Sequence, residues 1–146
     1  GGKVREEMVS LLDLPVTLLD CAGIPKPEGF AGNSLLRLVR GEQAAWPDSV
    51  FMQISESQVG RAVRTRDWKY SVRADADGWN ESCADVYYEE FLYDLRSDPH
   101  ERNNLVQDAR YAKVRQEMAE RLLRHMEAAG ERRPTIRPAA DSPWNG

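Results

Sequence analysis

The side chains best placed to meet a ligand gather after one apolar run: Gln53, Ser55, Glu56, Ser57, Gln58 and Arg61, with Arg64 and Arg66 beyond. Strand ends and turns are where binding residues tend to lie. A guanidinium at such a place can fork onto a sulfate or phosphate oxygen. Glu56, Gln58 and Arg61 are therefore the candidate substrate-binding residues. The competing reading is an arginine on the wet face of a hairpin, held by solvent or by a cross-strand acid.

Other reactive residue types are sparse. Of the two histidines, His100 falls at a turn and His125 near the end of a helical stretch, where a cation is mildly favoured. Both read as structural. Cys21 and Cys83 are too few for a disulfide framework, and two partly buried free thiols is the preferred reading over a single bridge. Asp75, Asp77 and Gly78 outline only the first positions of a calcium loop, and a solvated turn accounts for them. No His-x-x-x-His, Cys-x-x-Cys or phosphate-loop pattern occurs. No residue is assigned as catalytic or metal-binding.

The elements that must position these residues follow from periodicity. Ser49–Ser55 reads as a strand, and Arg61–Thr65 with Lys69–Arg73 as a hairpin around Arg66-Asp67-Trp68. Trp68 and Tyr70 read as core anchors. Asp75 to Asp85 reads as a mobile excursion, and Tyr87–Leu95 as a fourth strand. Tyr111, Val114, Met118, Leu122 and Met126 form one stripe of a helix over 109–129, stopped by Gly130. The tail over 131–146 is Pro-rich and expected to be extended or disordered. Upstream, Met8–Leu12 reads as a buried strand. Asp13 caps a following helix that Gly23 ends, and a short helix runs from Leu35 to Arg40.

Phe91 to Leu105, FLYDLRSDPHERNNL, carries the strongest local pattern. Asp98-Pro-His-Glu has the form of a helix start, with Asp98 as cap, Pro99 in the first position and Glu101 closing a capping box. Asn103 and Asn104 suit the end of that turn. The fold class implied is α+β: about four antiparallel strands against a long C-terminal helix, preceded by a leftover strand-helix. The expected divisions are 1–45, 46–130 and 131–146.

Composition excludes several function classes. The net charge of −4, with 30% charged and 41% hydrophobic residues, offers no footprint for nucleic acid or an anionic membrane. The apolar runs are too short to span a bilayer, and GGKVREE lacks the core of a secretion signal.

The Phe91–Leu105 run resembles the LYDL-x-x-DP-x-E-x-x-NL segment near the C-terminus of the sulfatase family. Val9–Ile24, the run Gly32-Asn-Ser-Leu-Leu-Arg-Leu and Arg61–Tyr70 resemble that region too, in the same order. The resemblance spans nearly all of residues 8 to 130. It implies the end of a large α/β domain plus a small subdomain with a four-stranded antiparallel sheet and a helix. It implies a parent that hydrolyses sulfuric esters, or a phosphonate or phosphodiester hydrolase of the same alkaline-phosphatase-like superfamily; a stand-alone interaction module is the remaining class. Calcium and formylglycine are implied for the full-length parent, with none in this fragment. Cys21 and Cys83 both miss the Cys-or-Ser-x-Pro-x-Arg signature of the nucleophile. The partners implied are the missing N-terminal catalytic domain and a sulfate-ester substrate. The unpaired strand at 8–12 would expose an apolar edge and drive formation of a homo-oligomer.

Overall fold

The computed structural model describes residues 2, 4–42 and 45–144. The chain divides into two compact units, Gly1–Val50 and Phe51–Gly146.

In the first unit, Asp13 opens helix α1 (Asp13–Cys21) from inside the helix. Its carboxylate reaches back to accept from the Ser10 N–H at 2.7 Å, while the Ser10 hydroxyl accepts from the Leu12 N–H at 3.3 Å. Together with the Asp13 N–H donating to the Ser10 carbonyl at 3.1 Å, these bonds wind Ser10–Asp13 into a turn. The segment Met8–Leu12 is consequently not the buried strand expected from its apolar run. It has no strand neighbour among the described residues, and Val9, Leu11 and Leu12 are exposed. Helix α2 (Leu36–Arg40) is stopped by Gly41 in the left-handed region, as its sequence indicates.

The second unit is a five-stranded sheet in the order β1-β2-β3-β4-β5. The strands are β1 (Ser49–Ser55), β2 (Val59–Thr65), β3 (Trp68–Arg73), β4 (Val86–Asp94) and β5 (Thr135–Arg137). The antiparallel β2–β3 hairpin sets Val63 opposite Tyr70, and β3–β4 is antiparallel with an irregularity between Ser71 and Val72. Period-two alternation sends Val59, Val63, Tyr70, Val72 and Tyr87 into the core. Met118, Leu122 and Met126 of helix α3 (Ala112–Ala128) join them there. Burying each such side chain stabilises by about 1.5–3 kcal/mol, so packing fixes the helix on the sheet.

The fold class is α+β as read from the sequence, with one strand more than expected. β5 comes from the tail and runs parallel to β4, pairing Val86 with Thr135 and Tyr88 with Arg137. Pro134 and Pro138 flank it, which a short edge strand tolerates.

Residues 98–105 form turns rather than the expected short helix. The Asp98 carboxylate accepts from the Arg102 and Asn103 N–H groups at 2.7 and 2.8 Å, so it closes a loop. Glu101 adopts φ 54°, and its carboxylate pairs with Lys69 at 2.5 Å instead of closing a capping box. Asn104 acts as a piece of strand. Its Oδ1 accepts from Leu92 N and Val106 N at 3.0 and 3.1 Å, and its Nδ2 donates to Glu90 O at 2.8 Å. The side chain thereby satisfies backbone groups of β4 that β5 does not reach.

A buried polar network crosses this unit. The Tyr70 hydroxyl donates to Glu89 at 3.2 Å, and Arg115 on α3 pairs with the same carboxylate at 3.2 Å. Burial raises the Glu89 carboxyl above its ordinary value, against the pull of Arg115 and the Tyr70 hydrogen bond. Burial likewise raises Glu90, with Arg73 opposing. A raised carboxyl holds its proton longer in the native than in the unfolded state. The contribution is therefore fully present below the unfolded value of 4.5 and lost as pH rises through the folded value. Asp108, lowered by its hydrogen bonds from Arg110, has the opposite sign and acts at lower pH. Urea midpoints measured stepwise from pH 4 to 7 are expected to fall along this limb, and Glu89→Gln with Glu90→Gln is expected to flatten it. An unaltered slope in the double variant contradicts this assignment.

Candidate functional site

The turn between β1 and β2 holds the residues that the sequence nominates. Glu56 and Ser57 are exposed at its tip, and Gln58 is half-buried behind them. The next residue, Val59, is fully buried and fixes the start of β2 in the core.

Arg61 lies two residues further, at only 3% exposure. Its Nε donates to Glu131 at 2.7 Å, Nη1 to the carbonyls of Ile54 and Gly60 at 3.1 and 2.8 Å, and Nη2 to the Ser82 carbonyl at 2.6 Å. The guanidinium also sits 5.8 Å from the centre of the Tyr87 ring. One side chain thus ties the end of β1, the body of β2, the loop before β4 and the residue after Gly130. A guanidinium so engaged positions the turn. Of the nominated trio, Glu56 is exposed and Gln58 half-buried.

The loop over 75–85 completes the surface. A Cβ added at Gly78 would lie 2.6 Å from the Glu56 carbonyl oxygen and 2.8 Å from the Gln58 nitrogen, so only glycine allows this loop to rest on the turn. Asp77 accepts from the Trp79 N–H at 3.0 Å and from the Asn80 amide, while the Asp77 N–H donates to Glu81 at 3.1 Å. These bonds hold Trp79 outward at 77% exposure. Glu56, Ser57 and Gln58 belong to the turn on which this loop rests. Together the two segments offer carboxylate, amide, hydroxyl and indole groups, suited to hydrogen bonding and stacking. The sequence reading of 75–85 as a mobile excursion names Gly78 but not its close approach to the turn, and does not single out Trp79. The available signal was Asp77-Gly-Trp-Asn80, a side chain able to fold its own backbone beside a glycine.

The other candidates lie apart. His125 stacks on Phe51 with ring centres 5.9 Å apart, and His100 is exposed. Trp68 packs edge-on against Tyr111 at 5.8 Å, consistent with an anchor. Cys21 and Cys83 are free and both exposed, whereas partial burial was expected. Among the described residues no group of three or more His, Cys, Asp or Glu side chains could hold a metal ion. The calcium implied for a sulfatase therefore finds no fitting donor set among the described residues.

Residues 1–128 match the family described as N-sulphoglucosamine sulphohydrolase, C-terminal. The chain is 38% identical over 109 residues to the Delta 4,5-hexuronate-2-O-sulfatase of Bacteroides thetaiotaomicron, covering 70% of this chain and 20% of that protein. A solved 2-O GAG sulfatase superposes with a TM-score of 0.66 at 31% identity, covering 81% of this chain and 24% of the other. The phosphonate monoester hydrolase of Agrobacterium radiobacter superposes with a TM-score of 0.64 at 25% identity, covering 86% and 26%. The chain thus spans about a fifth to a quarter of the length of these relatives.

Proposed function

This chain belongs to the sulfatase family, as the N-sulphoglucosamine sulphohydrolase C-terminal domain, and on that premise we propose that it serves a sulfuric ester hydrolase. In this reading the five-stranded sheet and α3 form the C-terminal subdomain. Glu56 and Gln58 contribute one wall of the substrate cleft, and Arg61 sets their position. The observation that carries the reading is the family match over residues 1–128. Sulfated sugars are the proposed substrate class, by likeness to the hexuronate sulfatase. Calcium and formylglycine belong, on this proposal, to parts of the protein outside these 146 residues.

A second reading, hydrolysis of phosphonate or phosphate esters, draws on the likeness to the Agrobacterium enzyme. The full gene product assayed against aryl sulfate, phosphate diester and phosphonate monoester separates the two. Sulfate turnover dominates if the first reading is right, and phosphonate turnover if the second is; the 146-residue chain alone is expected to hydrolyse none of them. In that full protein, Glu56→Ala with Gln58→Ala is expected to raise KM for a sulfated disaccharide roughly threefold to tenfold, the equivalent of about one hydrogen bond. Turnover of a small aryl sulfate should change little. An unaltered KM for the disaccharide removes these residues from the cleft.

The first unit supplies the proposed docking surface for the N-terminal catalytic domain. Leu11 and Leu18 stand 82% and 70% exposed, with Leu14 and Val39 also exposed. Such a surface left open favours self-association. Light scattering of the isolated chain is expected to show association that Leu11→Glu with Leu18→Glu reduces. A monodisperse monomer before substitution contradicts this expectation.

A further inference from the structure

A second polar cleft, of about 230 Å³, opens on the second unit away from the β1–β2 turn. Arg73 of β3 and Glu90 of β4 line it together with Asn104, Gln107, Ser142 and Trp144. The Arg73 Nε is buried and has no hydrogen-bond partner among the described residues. Its guanidinium lies 4.5 Å from the centre of the Trp144 ring. Glu90 is half-buried and feels the charge of Arg73, yet no ion pair joins the two among the described residues. The Nε itself is closed off from the cleft, but the cleft sets the rest of the Arg73 side chain beside the half-buried Glu90 with no ion pair between them among the described residues, a donor and an acceptor that one bridging ligand can join.

The charges select its chemistry. Glu89 also lines the cleft, but Arg115 balances its charge, so the free charges of the cleft are Arg73 and Glu90 and an anionic ligand would meet the Glu90 carboxylate. A cationic ligand would meet Arg73. A hydroxyl both donates and accepts, so neighbouring hydroxyls can satisfy Arg73 and Glu90 together without importing charge. Trp144 adds an apolar wall suited to the C–H face of a ring. The cleft is smaller than pockets for drug-sized ligands, about 300–1,000 Å³, which suits a single ring.

We infer that this cleft binds one uncharged pyranose ring, with Arg73 donating to one hydroxyl, Glu90 accepting from its neighbour, and Trp144 against the ring. The site lies outside the β1–β2 turn, and Ser142 and Trp144 lie beyond residue 128, where the family match ends. It does not depend on the proposed hydrolase activity.

Calorimetric titration and saturation-transfer NMR of the 146-residue chain test it with methyl glucoside, methyl galactoside and methyl N-acetylglucosaminide, beside glucuronate and glucosamine. Saturable binding of at least one uncharged glycoside is expected, with a Kd on the order of 1 mM for a ligand of this size. Trp144→Ala should weaken binding roughly tenfold, as loss of a stacking wall does; because Trp144 also packs against Arg73 and, edge-on at 5.9 Å, against Tyr88, its melting curve is recorded beside the titration to show that the variant is folded. Glu90→Gln, which retains an acceptor, should weaken it less. Absence of saturable binding by any uncharged glycoside overturns the proposal. So does tighter binding of glucuronate or glucosamine than of every glycoside, or binding indifferent to Trp144→Ala.

Discussion

Arg61→Leu is expected to lower the stability of the second unit by roughly 3–5 kcal/mol, read as a fall in the urea midpoint, because it strips one partner from a buried ion pair. The side chain of Arg61 is 2% exposed and that of Glu131 14%. Glu131 would keep its charge in a place that water scarcely reaches. The carbonyls of Ile54, Gly60 and Ser82 would each lose a donor as well. Arg61→Lys should recover only part of the loss, since one ammonium cannot span the directions that a planar fork serves. Arg61→Leu combined with Glu131→Leu should be less damaging than Arg61→Leu alone, because the orphaned carboxylate is then removed too. A loss for Arg61→Leu below about 1 kcal/mol, ordinary for a surface change, would show that the network does not hold the turn.

This anchoring explains what could and could not be read from the residues in order. The strands β1 to β4 and the stripe on α3 were legible because each is written in local periodicity. Arg61 was legible as unusual, but its partner Glu131 is 70 residues away, beyond any local pattern. The strand β5 was hidden because Thr135–Arg137 has no period of its own and is ordered by an existing edge of β4. Met8–Leu12 failed in the opposite sense: its composition suits a strand, yet a strand needs a neighbour, and the Asp13 and Ser10 side chains accept from the Ser10 and Leu12 N–H groups instead. The turn over 98–105 shows the same competition. Asp98 could have capped a helix, but Asn104 is required as a substitute strand along β4, and that demand sets the path of the chain. For the candidate site, side-chain type nominated Glu56 and Gln58, while only packing revealed Gly78 beneath them and Trp79 beside them.

Gly32→Ala is expected to destabilise the first unit by roughly 3 kcal/mol, from about 1 kcal/mol of left-handed strain and two hydrogen bonds of about 1 kcal/mol each. Gly32 has φ +94°, and a Cβ there would overlap the Leu12 carbonyl oxygen and lie 2.6 Å from its carbon. These are backbone atoms at the entry to α1, so no rotamer change relieves the overlap. The loop cannot simply retreat, because its next residues are clamped to α1. Asn33 N donates to the Asp13 carboxylate at 2.7 Å, and Leu35 N donates to the Thr17 hydroxyl at 2.9 Å. Asp13 itself is only 4% exposed, so withdrawing its partner leaves a desolvated oxygen. Gly23→Ala supplies the matched control: its φ is +69°, but nothing lies within 4 Å of an added Cβ. That variant should cost about 1 kcal/mol, from backbone strain alone. Amide exchange along α1 reads both effects. If Gly32→Ala accelerates exchange no more than Gly23→Ala does, the loop is not seated on Leu12, and the clamp from Asp13 and Thr17 does not hold it there.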